Sequence, residues 1–422
     1  MIKEGTKIES SRIKYPVVKE AFKNCGIDMV LNDPEAPIFW WDGDINPKDF
    51  EQAKVNQRMN KIPGMDNLCY KSSFIHALNQ MRRLFPKNYK FFPTSFILPH
   101  QMSDFQREHT KLQAKQRNNV TWIMKPRSGC CGQGIKIIQH VYEVTRRTES
   151  AIIQGYISPY LLNGFKFDFR FYVLISTLSP YTVYIYKEGL ARFCTQQYQA
   201  PSAENLGDKF CHLTNTSINV DNPDAHNEYT RLASSVLTEI SQLSPKGSLV
   251  WQKICDVTTF TMLAMWSPIV NSINNYNSSR DFFCRKYTYN TLSSCENYGK
   301  YFHILGIDIL LNDNLQPIVL ELNDRPSMQV TFDCESALKR DLIIDTLKTI
   351  SLTGTPLNEV SSNFQQLLPV DPSNPISTAV DQICVQSSSI FRTCAPIPTV
   401  PRKPKERFGI QETFIDDGKG EQ

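Results

Sequence analysis

The strongest constraint on the fold comes from two apolar segments in the last third of the chain, FHILGIDILL and QPIVLELNDRPS. A turn near Asn314 and Leu315 would join them as a β-hairpin and bring Asp308 roughly opposite Glu321. Because side chains alternate across a strand, Glu321 and Asn323 share one face. Carboxylate and amide oxygens suit Mg²⁺, but acidic residues at strand ends are ordinarily just solvated. The hairpin alone therefore leaves both interpretations open.

The segment VTWIMKPRSGCCGQGIKII has the composition of a phosphate-binding loop. An apolar run ends at Lys125, and Gly129, Gly132 and Gly134 precede a second apolar run. Glycines let backbone N–H groups approach a polyphosphate closely, and the lysine supplies a compact positive charge. The segment is not a Walker loop, because no Gly-Lys-Ser/Thr opens a helix. A glycine-rich hairpin turn is the alternative for this segment taken alone.

The segment NGFKFDFRFYVLI alternates phenylalanines with Lys166, Asp168 and Arg170. Period-two spacing predicts a strand with an aromatic face toward the core and a charged face toward a cleft. An exposed ladder of cross-strand salt bridges is the usual explanation of such charges. We favour a ligand-lined face, because the strand is otherwise strongly apolar.

Six segments together resemble the tubulin tyrosine ligase-like family, whose members are ATP-grasp ligases that attach amino acids to tubulin. The resemblance runs from about residue 61 to about residue 349 and is greatest to the polyglutamylase branch. It rests on the order and spacing of PGMDNLCYKSSFIHALNQMRRLFP, WIMKPRSGCCGQGIKII, QGYISPYLLNGFKFDFRFYVLI, EGLARF, HLTNTSIN and GIDILLNDNLQPIVLELNDRPS. Any single segment could match by chance, whereas the six in this order identify the family.

The resemblance implies an α/β fold of the α+β ATP-grasp type, with nucleotide in the cleft between the last two lobes. We expect a small N-terminal α/β lobe at residues 1–60 and a central lobe with the glycine-rich loop at 61–163. A catalytic, metal-binding lobe would follow at 164–355. A flexible Pro/Ser-rich tail is expected at 356–422.

Local patterns predict further elements. Residues 38–41 predict a buried strand, and Asp66 to Phe85 predicts a helix because its apolar residues recur with a 3.6-residue period. Residues 271–300 are rich in Asn, Ser and Tyr, which is typical of a flexible insertion. From residue 356 onward Pro, Ser, Thr and Gln dominate and predict little packed structure.

The resemblance also assigns roles to individual residues. The residues that would bind ATP are Lys125, Gly132, Gln133, Gly134, Gln154, Gly155, Tyr156, Ile157, Lys166, Asp168, His212, Leu213, Thr214 and Asn215. Arg170 and Arg192 would be catalytic, facing the transferred phosphate and the carboxylate of the incoming amino acid, a task that suits a planar bidentate donor. Ser217, with Arg192, would contact the amino-acid substrate.

The family's chemistry accounts for the remaining residues. Asp308, Glu321 and Asn323 match its Mg²⁺ ligands, with Mn²⁺ as an alternative cation. The γ-phosphate of ATP is transferred to an acceptor side-chain carboxylate, and the amine of the incoming amino acid then displaces phosphate. Metal and arginines would stabilise the phosphoryl charge while water is excluded. The resemblance thus implies an ATP- and Mg²⁺-dependent ligase that adds glutamate to the acidic tails of tubulin.

Five departures from the family pattern leave the specificity open. They occur at Cys131, Gln133, Thr216, Asp324 and Arg325, near the expected acceptor or amino-acid sites. A glycine or tyrosine ligase of the same family is therefore a close alternative. A non-catalytic microtubule-associated scaffold is an alternative from another class, although the metal-ligand pattern is intact. Which tubulin subunit is modified, and whether side chains are initiated or extended, also stays open.

Composition limits the partners. The chain has 422 residues, 41% of them hydrophobic, so it can bury a large core. It has no apolar N-terminal run and no apolar stretch of about 18 residues, so we expect no membrane and a cytoplasmic, cytoskeletal location, including a cilium or flagellum. A net charge of +4 is too small to imply nucleic acid. The 12 cysteines lack metal-like spacing and are expected to be reduced.

The charge of the C-terminal segment suggests a further partner. Residues 356–422 contain six Lys/Arg and eight Asp/Glu (6 − 8 = −2). A strongly basic extension for the acidic microtubule surface is therefore missing from this segment. We expect accessory subunits as additional partners.

Overall fold

The computed structural model describes residues 4–43, 49–50, 54, 56–116, 120–126, 132–145, 150–222, 229–280, 298–352 and 360–390. These residues form three β-sheets with helices packed against them. The mixed α/β class predicted from the sequence is confirmed. In the part of the chain so described, no helix is both long enough and apolar enough to cross a membrane.

The first sheet is parallel and lies near the start of the chain. Its strands are β1 (Lys7–Glu9), β2 (Asp28–Val30), β3 (Ile38–Phe39) and β4 (Arg58–Met59), in the order β2-β1-β3-β4. Helix α1 (Pro16–Asn24) begins with a proline, whose missing N–H costs nothing in the first turn. The strand predicted at 38–41 is shorter than expected, but Trp40 and Trp41 after it are buried.

Two helices occupy the segment predicted as one. They are α2 (Met65–Cys69) and α3 (Lys71–Leu84). The backbone of Tyr70 is extended (ψ 135°), which interrupts the helical hydrogen bonds between them. The predicted apolar face is nevertheless buried at Phe74, Ala77, Leu78 and Met81. The prediction of one continuous helix from Asp66 to Phe85 is therefore wrong, whereas the predicted burial of its apolar face is confirmed.

The second sheet is antiparallel and carries the end of the predicted phosphate loop. Its elements are β5 (Ser95–Leu98), α4 (Met102–Gln116), β6 (Trp122–Pro126), β7 (Lys136–Ile138), α5 (Tyr142–Thr145) and β8 (Ala151–Gly155). The strand order is β5-β8-β6-β7. Lys125 pairs with Ile152 and Ile123 with Gln154 across β6 and β8. Because cross-strand partners share a face, Lys125 and Gln154 point to the same side of this sheet.

The third sheet is the largest and is antiparallel. Its strands are β9 (Leu161–Leu162), β10 (Phe165–Leu178), β11 (Tyr181–Phe193), β12 (Thr230–Leu232), β13 (His303–Leu311), β14 (Pro317–Asn323) and β15 (Phe364–Leu368). The main order is β12-β11-β10-β13-β14, with β15 paired to β11 and β9 to β10. The predicted hairpin is confirmed, because Asp308 pairs with Glu321 in the register of β13 and β14.

The remaining helices surround the third sheet. They are α6 (Lys209–His212), α7 (Thr216–Asn219), α8 (Ala233–Leu243), α9 (Val250–Arg280), α10 (Asp333–Thr349) and α11 (Ser377–Ile390). One core cluster packs α9 and α3 against the phenylalanine face of β10. Another packs α1 and α10 against the opposite face.

The flexible insertion predicted at 271–300 is wrong for its first ten residues. Helix α9 continues through them to Arg280, and residues 298–300 form a 3-10 turn. Ile269, Val270 and Ile273 are buried and anchor this end of the helix, so that tertiary packing overrides the polar composition. Residues 281–297 lie outside the described part of the chain.

The prediction of little packed structure after residue 356 is also wrong for residues 364–390. Strand β15 pairs with β11, and Phe364 lies against Tyr186 with 5.0 Å between ring centroids. Helix α11 buries Val380 and Ile383 in the core that contains α9. A few apolar residues at helical or strand spacing are enough to dock this polar segment.

Replacing Ile383 by Ala tests whether α11 contributes to stability. Ile383 is 1% exposed, so the variant should lose about 2–4 kcal/mol of unfolding free energy through lost burial and a residual cavity. Val385→Ala on the same helix is the matched control, because Val385 is 69% exposed and should change stability by less than about 0.5 kcal/mol. Urea unfolding measures both. Equal effects of the two substitutions would contradict the packing of α11.

Candidate functional site

Four charged side chains form a buried network on one face of the third sheet. Asp308 accepts hydrogen bonds from Nε and Nη2 of Arg170, the latter at 2.9 Å, and from Nη2 of Arg192 at 2.9 Å. Asp168 accepts from Nε and Nη2 of Arg192, both at 2.8 Å, and from the Thr214 hydroxyl at 2.7 Å. The register explains the network, because Arg170 pairs with Asp308 and Asp168 pairs with Arg192.

The electrostatics of this network are strongly coupled. Burial alone would raise the pKa of Asp308, but the charges of Arg170 and Arg192 and their hydrogen bonds lower it well below the ordinary value. Burial opposes the charge of Arg192 as well, yet Asp168 and Asp308 raise its pKa well above the usual range. Asp308 and the two arginines therefore stay ionised. Losing one member would leave an uncompensated charge away from water.

Two lysines border the network. Burial lowers the pKa of Lys125, and the charges of Glu321 and Asp308 partly offset that shift. Lys166 donates to the carbonyl of His212 at 2.7 Å and to the Tyr156 hydroxyl at 3.3 Å, and burial lowers its pKa too. Both ammonium groups lie in a dry region with few competing ligands, where they can bind an anion strongly.

His212 is held as a neutral ring. The short helix α6 is capped by Asp208, which accepts from the backbone N–H of Phe210 at 2.9 Å. The ring lies 3.0 Å from the Tyr156 hydroxyl through Nδ1 and 3.3 Å from the Asn205 amide oxygen through Nε2. Burial, together with the charge of Lys166, lowers the pKa of His212 to about 4.

Two cavities meet at this network and contain most of the predicted site residues. The first, about 90 Å³, is lined by Lys125, Gln154, Gly155, Tyr156, Ile157, Lys166, Asp168, Arg192, His212, Leu213, Thr214, Asn215, Asp308 and Glu321. The second, about 490 Å³, is lined by Gly132, Gln133, Arg170, Arg192, Asn215, Ser217, Glu321 and Asn323. Gly134 lines neither cavity, and Gly129, Cys130 and Cys131 lie outside the described residues.

The wider cavity also contains residues that the sequence patterns missed. These are Lys71, Tyr172, Glu335 and Lys339. Glu335 and Lys339 lie one helical turn apart in α10, 3.3 Å from each other. The i,i+4 spacing of opposite charges was visible in the sequence, but such pairs usually lie on exposed helix faces. Their burial comes from the packing of α10 against the sheet.

The oxygens of Asp308, Glu321 and Asn323 can accommodate one hard cation. A carboxylate has about four acceptor positions. Three positions of Asp308 are taken by the two arginines, which leaves one on Oδ1. Glu321 is only loosely engaged, 3.6 Å from the Lys71 ammonium and 3.4 Å from the Asn323 amide nitrogen. No trio of His, Cys, Asp or Glu among the described residues could hold a metal, so further ligands would come from Asn323, water or phosphate.

Comparison with known proteins gives a consistent result. The tubulin-tyrosine ligase family model matches residues 49–361. The chain is 34% identical to human "Tubulin polyglutamylase TTLL6" over 364 residues, which is 85% of this chain and 38% of that protein. It is 32% identical to the "Probable beta-tubulin polyglutamylase" of Tetrahymena thermophila, over 84% of this chain and 29% of that protein. It is 33% identical to mouse "Tubulin polyglutamylase TTLL13", over 84% of this chain and 42% of that protein. The chain thus spans about two fifths or less of these relatives' lengths.

Two acidic residues of the site should differ in their importance for stability. Asp308→Asn removes the charge that compensates two arginines and should cost about 3 kcal/mol of unfolding free energy. Glu321→Gln should cost less than about 1 kcal/mol, because its contacts are long and partly solvated. Chemical denaturation of both variants provides the measurement. A Glu321 variant as unstable as the Asp308 variant would show that the network extends along β14.

The lowered pKa of His212 predicts a pH dependence of stability. Between pH 6.5 and about 4 the unfolded chain binds a proton at this ring and the folded chain does not. Stability should therefore fall as the pH is lowered through this window. Denaturation midpoints at pH 7 and pH 5 should fall more in the parent protein than in His212→Gln, which lacks the titrating ring. Parallel pH profiles would contradict the neutral, buried state of the ring.

Proposed function

The chain belongs to the tubulin-tyrosine ligase family, and from this we propose that it is an ATP- and Mg²⁺-dependent ligase that adds glutamate to side-chain carboxylates of tubulin tails. The single observation that carries the proposal is the convergence of Lys125, Lys166 and two arginines on a face that also presents Asp308 and Glu321. Such a face can hold a polyphosphate, a cation and a reacting carboxylate together. Relatives named as tubulin polyglutamylases support glutamate and tubulin as substrates.

ATP would lie between the sheets of the lobes at 61–163 and 164–355. Gln154 to Ile157 on the second sheet and His212 to Asn215 beyond the third sheet line the same narrow cavity. The neutral ring of His212 and the hydroxyl of Tyr156 would contact the base, with no charge to desolvate. Lys125 and Lys166 would bind the phosphates, and the backbone at Gly132 to Gly134 would cover them.

The reaction would occur where this narrow cavity opens into the wider one. An oxygen of the acceptor carboxylate attacks the γ-phosphorus of ATP, the bond to the β-phosphate oxygen breaks, and ADP leaves. The α-amine of the incoming glutamate then attacks the acyl carbon, phosphate leaves, and a proton is lost from nitrogen. The two arginines would stabilise negative charge on the phosphoryl oxygens.

The three hairpin residues would hold the cation. Asp308 would supply one oxygen, Glu321 its carboxylate and Asn323 its amide oxygen. Mg²⁺, when bound, would neutralise charge on the phosphate oxygens, with Mn²⁺ as a substitute. The two arginines would also stabilise negative charge on the phosphate. Asp308 and Asp168 hold both guanidinium groups in place before any substrate binds.

The network limits what Arg192 can offer to a substrate. Its Nε and Nη2 donate to Asp168 and Asp308, so a substrate carboxylate or phosphate would be bound through Nη1. Arg170 donates through Nε and Nη2 and also lines the wider cavity, so a substrate there would be bound through its Nη1. Ser217 lines the same cavity and would contact the incoming amino acid.

The location and partners follow from the substrate. A tubulin ligase would act on the cytoskeleton, including the microtubules of a cilium or flagellum. Residues 356–422 carry no net positive charge (6 − 8 = −2) with which to contact the acidic microtubule surface. Accessory subunits would supply that contact. Whether the enzyme starts or extends side chains depends on acceptor contacts in the wider cavity.

The function is tested with purified protein, ATP, Mg²⁺, tubulin and each labelled amino acid in turn. Glutamate should be incorporated in an ATP-dependent manner, and glycine and tyrosine should not. Glu321→Gln is the control for catalysis, since it should stay folded and lose turnover. Incorporation of glycine or tyrosine would replace glutamate in the proposal, and no incorporation at all would favour a scaffold.

Arg192→Lys separates the two substrates kinetically. Arg192 donates to Asp168 and Asp308 through Nε and Nη2, which leaves Nη1 for the substrate. A lysine has one nitrogen and cannot make both sets of contacts. The apparent KM for the amino acid should therefore rise more than the KM for ATP, by about tenfold if one charged contact worth about 1.4 kcal/mol is lost. Steady-state kinetics with each substrate varied in turn gives the two values. Equal increases would place Arg192 on the phosphate instead.

A further inference from the structure

A third cavity, about 390 Å³, lies beyond the end of β14 and outside the site described above. Its lining includes Lys61, Asp66, Ser272, Asp324 and Arg325. None of the residues proposed to bind ATP, the amino acid or the metal contributes to it. The cavity is bounded by the segment that enters α2, by α9 and by the turn after β14.

Lys61 is the distinctive group of this cavity. Its ammonium makes no hydrogen bond or ion pair with any residue in the described part of the chain, whereas Asp324 accepts from Arg325 at 2.9 Å. Burial lowers the pKa of Lys61 to about 8, and the charges of Asp324 and Asp42 oppose this shift. Lys61 is half-buried. A cation that is partly removed from water without a partner is costly, and a carboxylate ligand would offset that cost.

The walls of the cavity are held rigidly. His303 is 1% exposed and bridges two walls. Its Nδ1 accepts from the Ile62 backbone N–H at 3.1 Å, and its Nε2 lies 2.6 Å from the Asp324 carbonyl oxygen. Gly64 has φ 73°, and a Cβ there would lie 2.0 Å from the Ser272 hydroxyl. These contacts hold two walls of the cavity in place before a ligand binds, which lowers the cost of binding.

Two stretches of backbone connect this cavity to the wider cavity of the proposed active site. Asp324 and Arg325 line the third cavity, while Asn323 and Ser327 on either side line the wider one. Residues 61–67 line the third cavity, and Lys71 at the start of α3 lines the wider one. An extended peptide advances about 3.3 Å per residue. Because the two cavities border the same stretches of backbone, a side chain close in sequence to an acceptor in the wider cavity would lie near the third.

We propose that the third cavity is a subsite for a second carboxylate of an acidic acceptor peptide, which Lys61 binds through its ammonium group. The inference rests on the proposed function, because it assumes that the acceptor carboxylate occupies the wider cavity. Arg325, another cation of the lining, is paired with Asp324, and Asp66 also lines the cavity. This charge balance suits a monoanionic carboxylate better than a phosphate dianion. The subsite would make the enzyme prefer acceptors with an acidic neighbour.

Two synthetic peptides test this subsite with the full-length protein. Each contains one acceptor glutamate, flanked by aspartates in one peptide and by asparagines in the other. Lys61→Gln should raise the KM for the aspartate-flanked peptide about tenfold, which corresponds to about 1.4 kcal/mol. It should leave the KM for the asparagine-flanked peptide and for ATP unchanged. Lys61→Arg should restore most of the preference, because it retains the charge.

Lys54→Gln is the matched control, because Lys54 is exposed and pairs with Glu35 away from the cavity. It should change neither peptide's KM. Fluorescence anisotropy of both peptides without ATP measures binding independently of turnover. If the parent protein binds the aspartate-flanked peptide more tightly and Lys61→Gln loses the difference, the subsite stands even if no amino acid is added. Equal effects of Lys61→Gln on both peptides, or no effect, would overturn the subsite.

Discussion

The carboxylate of Asp308, buried between two guanidinium groups, is the interaction on which the site depends. Its side chain is 4% exposed and compensates both Arg170 and Arg192, and Arg192 in turn compensates Asp168. Charges so far from water are tolerated only as a balanced, hydrogen-bonded set. The set thereby holds two arginines in a fixed orientation before substrates bind. Fixed dipoles and charges of this kind stabilise a phosphoryl transition state without reorganisation at the moment of reaction.

The antiparallel register of three central strands produces this arrangement. Asp308 lies between Arg170 on β10 and Glu321 on β14, so one row across the sheet carries an arginine proposed to face the phosphate, a shared carboxylate and a metal-ligand candidate. A slip of one residue in either pairing would turn these side chains into the phenylalanine core. The aromatic residues of β10 oppose such a slip, because Phe167, Phe169 and Phe171 are almost fully buried on the other face. Core packing and charge alignment are therefore specified by the same alternation.

That alternation is why the sequence predicted the hairpin, its facing pair and the charged side of β10. Properties set by distant contacts were not predictable in the same way. The break at Tyr70, the continuation of α9 to Arg280 and the docking of α11 depend on surfaces supplied by other segments. The pairing of both aspartates with arginines was hidden too, because local spacing does not distinguish a substrate-facing arginine from one held by a carboxylate. Lys61 and His303 are separated by 303 − 61 = 242 positions, so no sequence pattern could place them at one cavity.

Transfer of an oxygen atom tests the central account, in which the acceptor carboxylate attacks ATP directly. An acidic peptide carrying ¹⁸O in its acceptor carboxylate is incubated with the protein, ATP, Mg²⁺ and glutamate, and the released phosphate is analysed by mass spectrometry. The account predicts that each ligation delivers one ¹⁸O atom from the carboxylate to phosphate, and that Glu321→Gln abolishes both ligation and transfer. Ligation that leaves the phosphate unlabelled would contradict an acyl phosphate and, with it, the proposed role of the arginine pair.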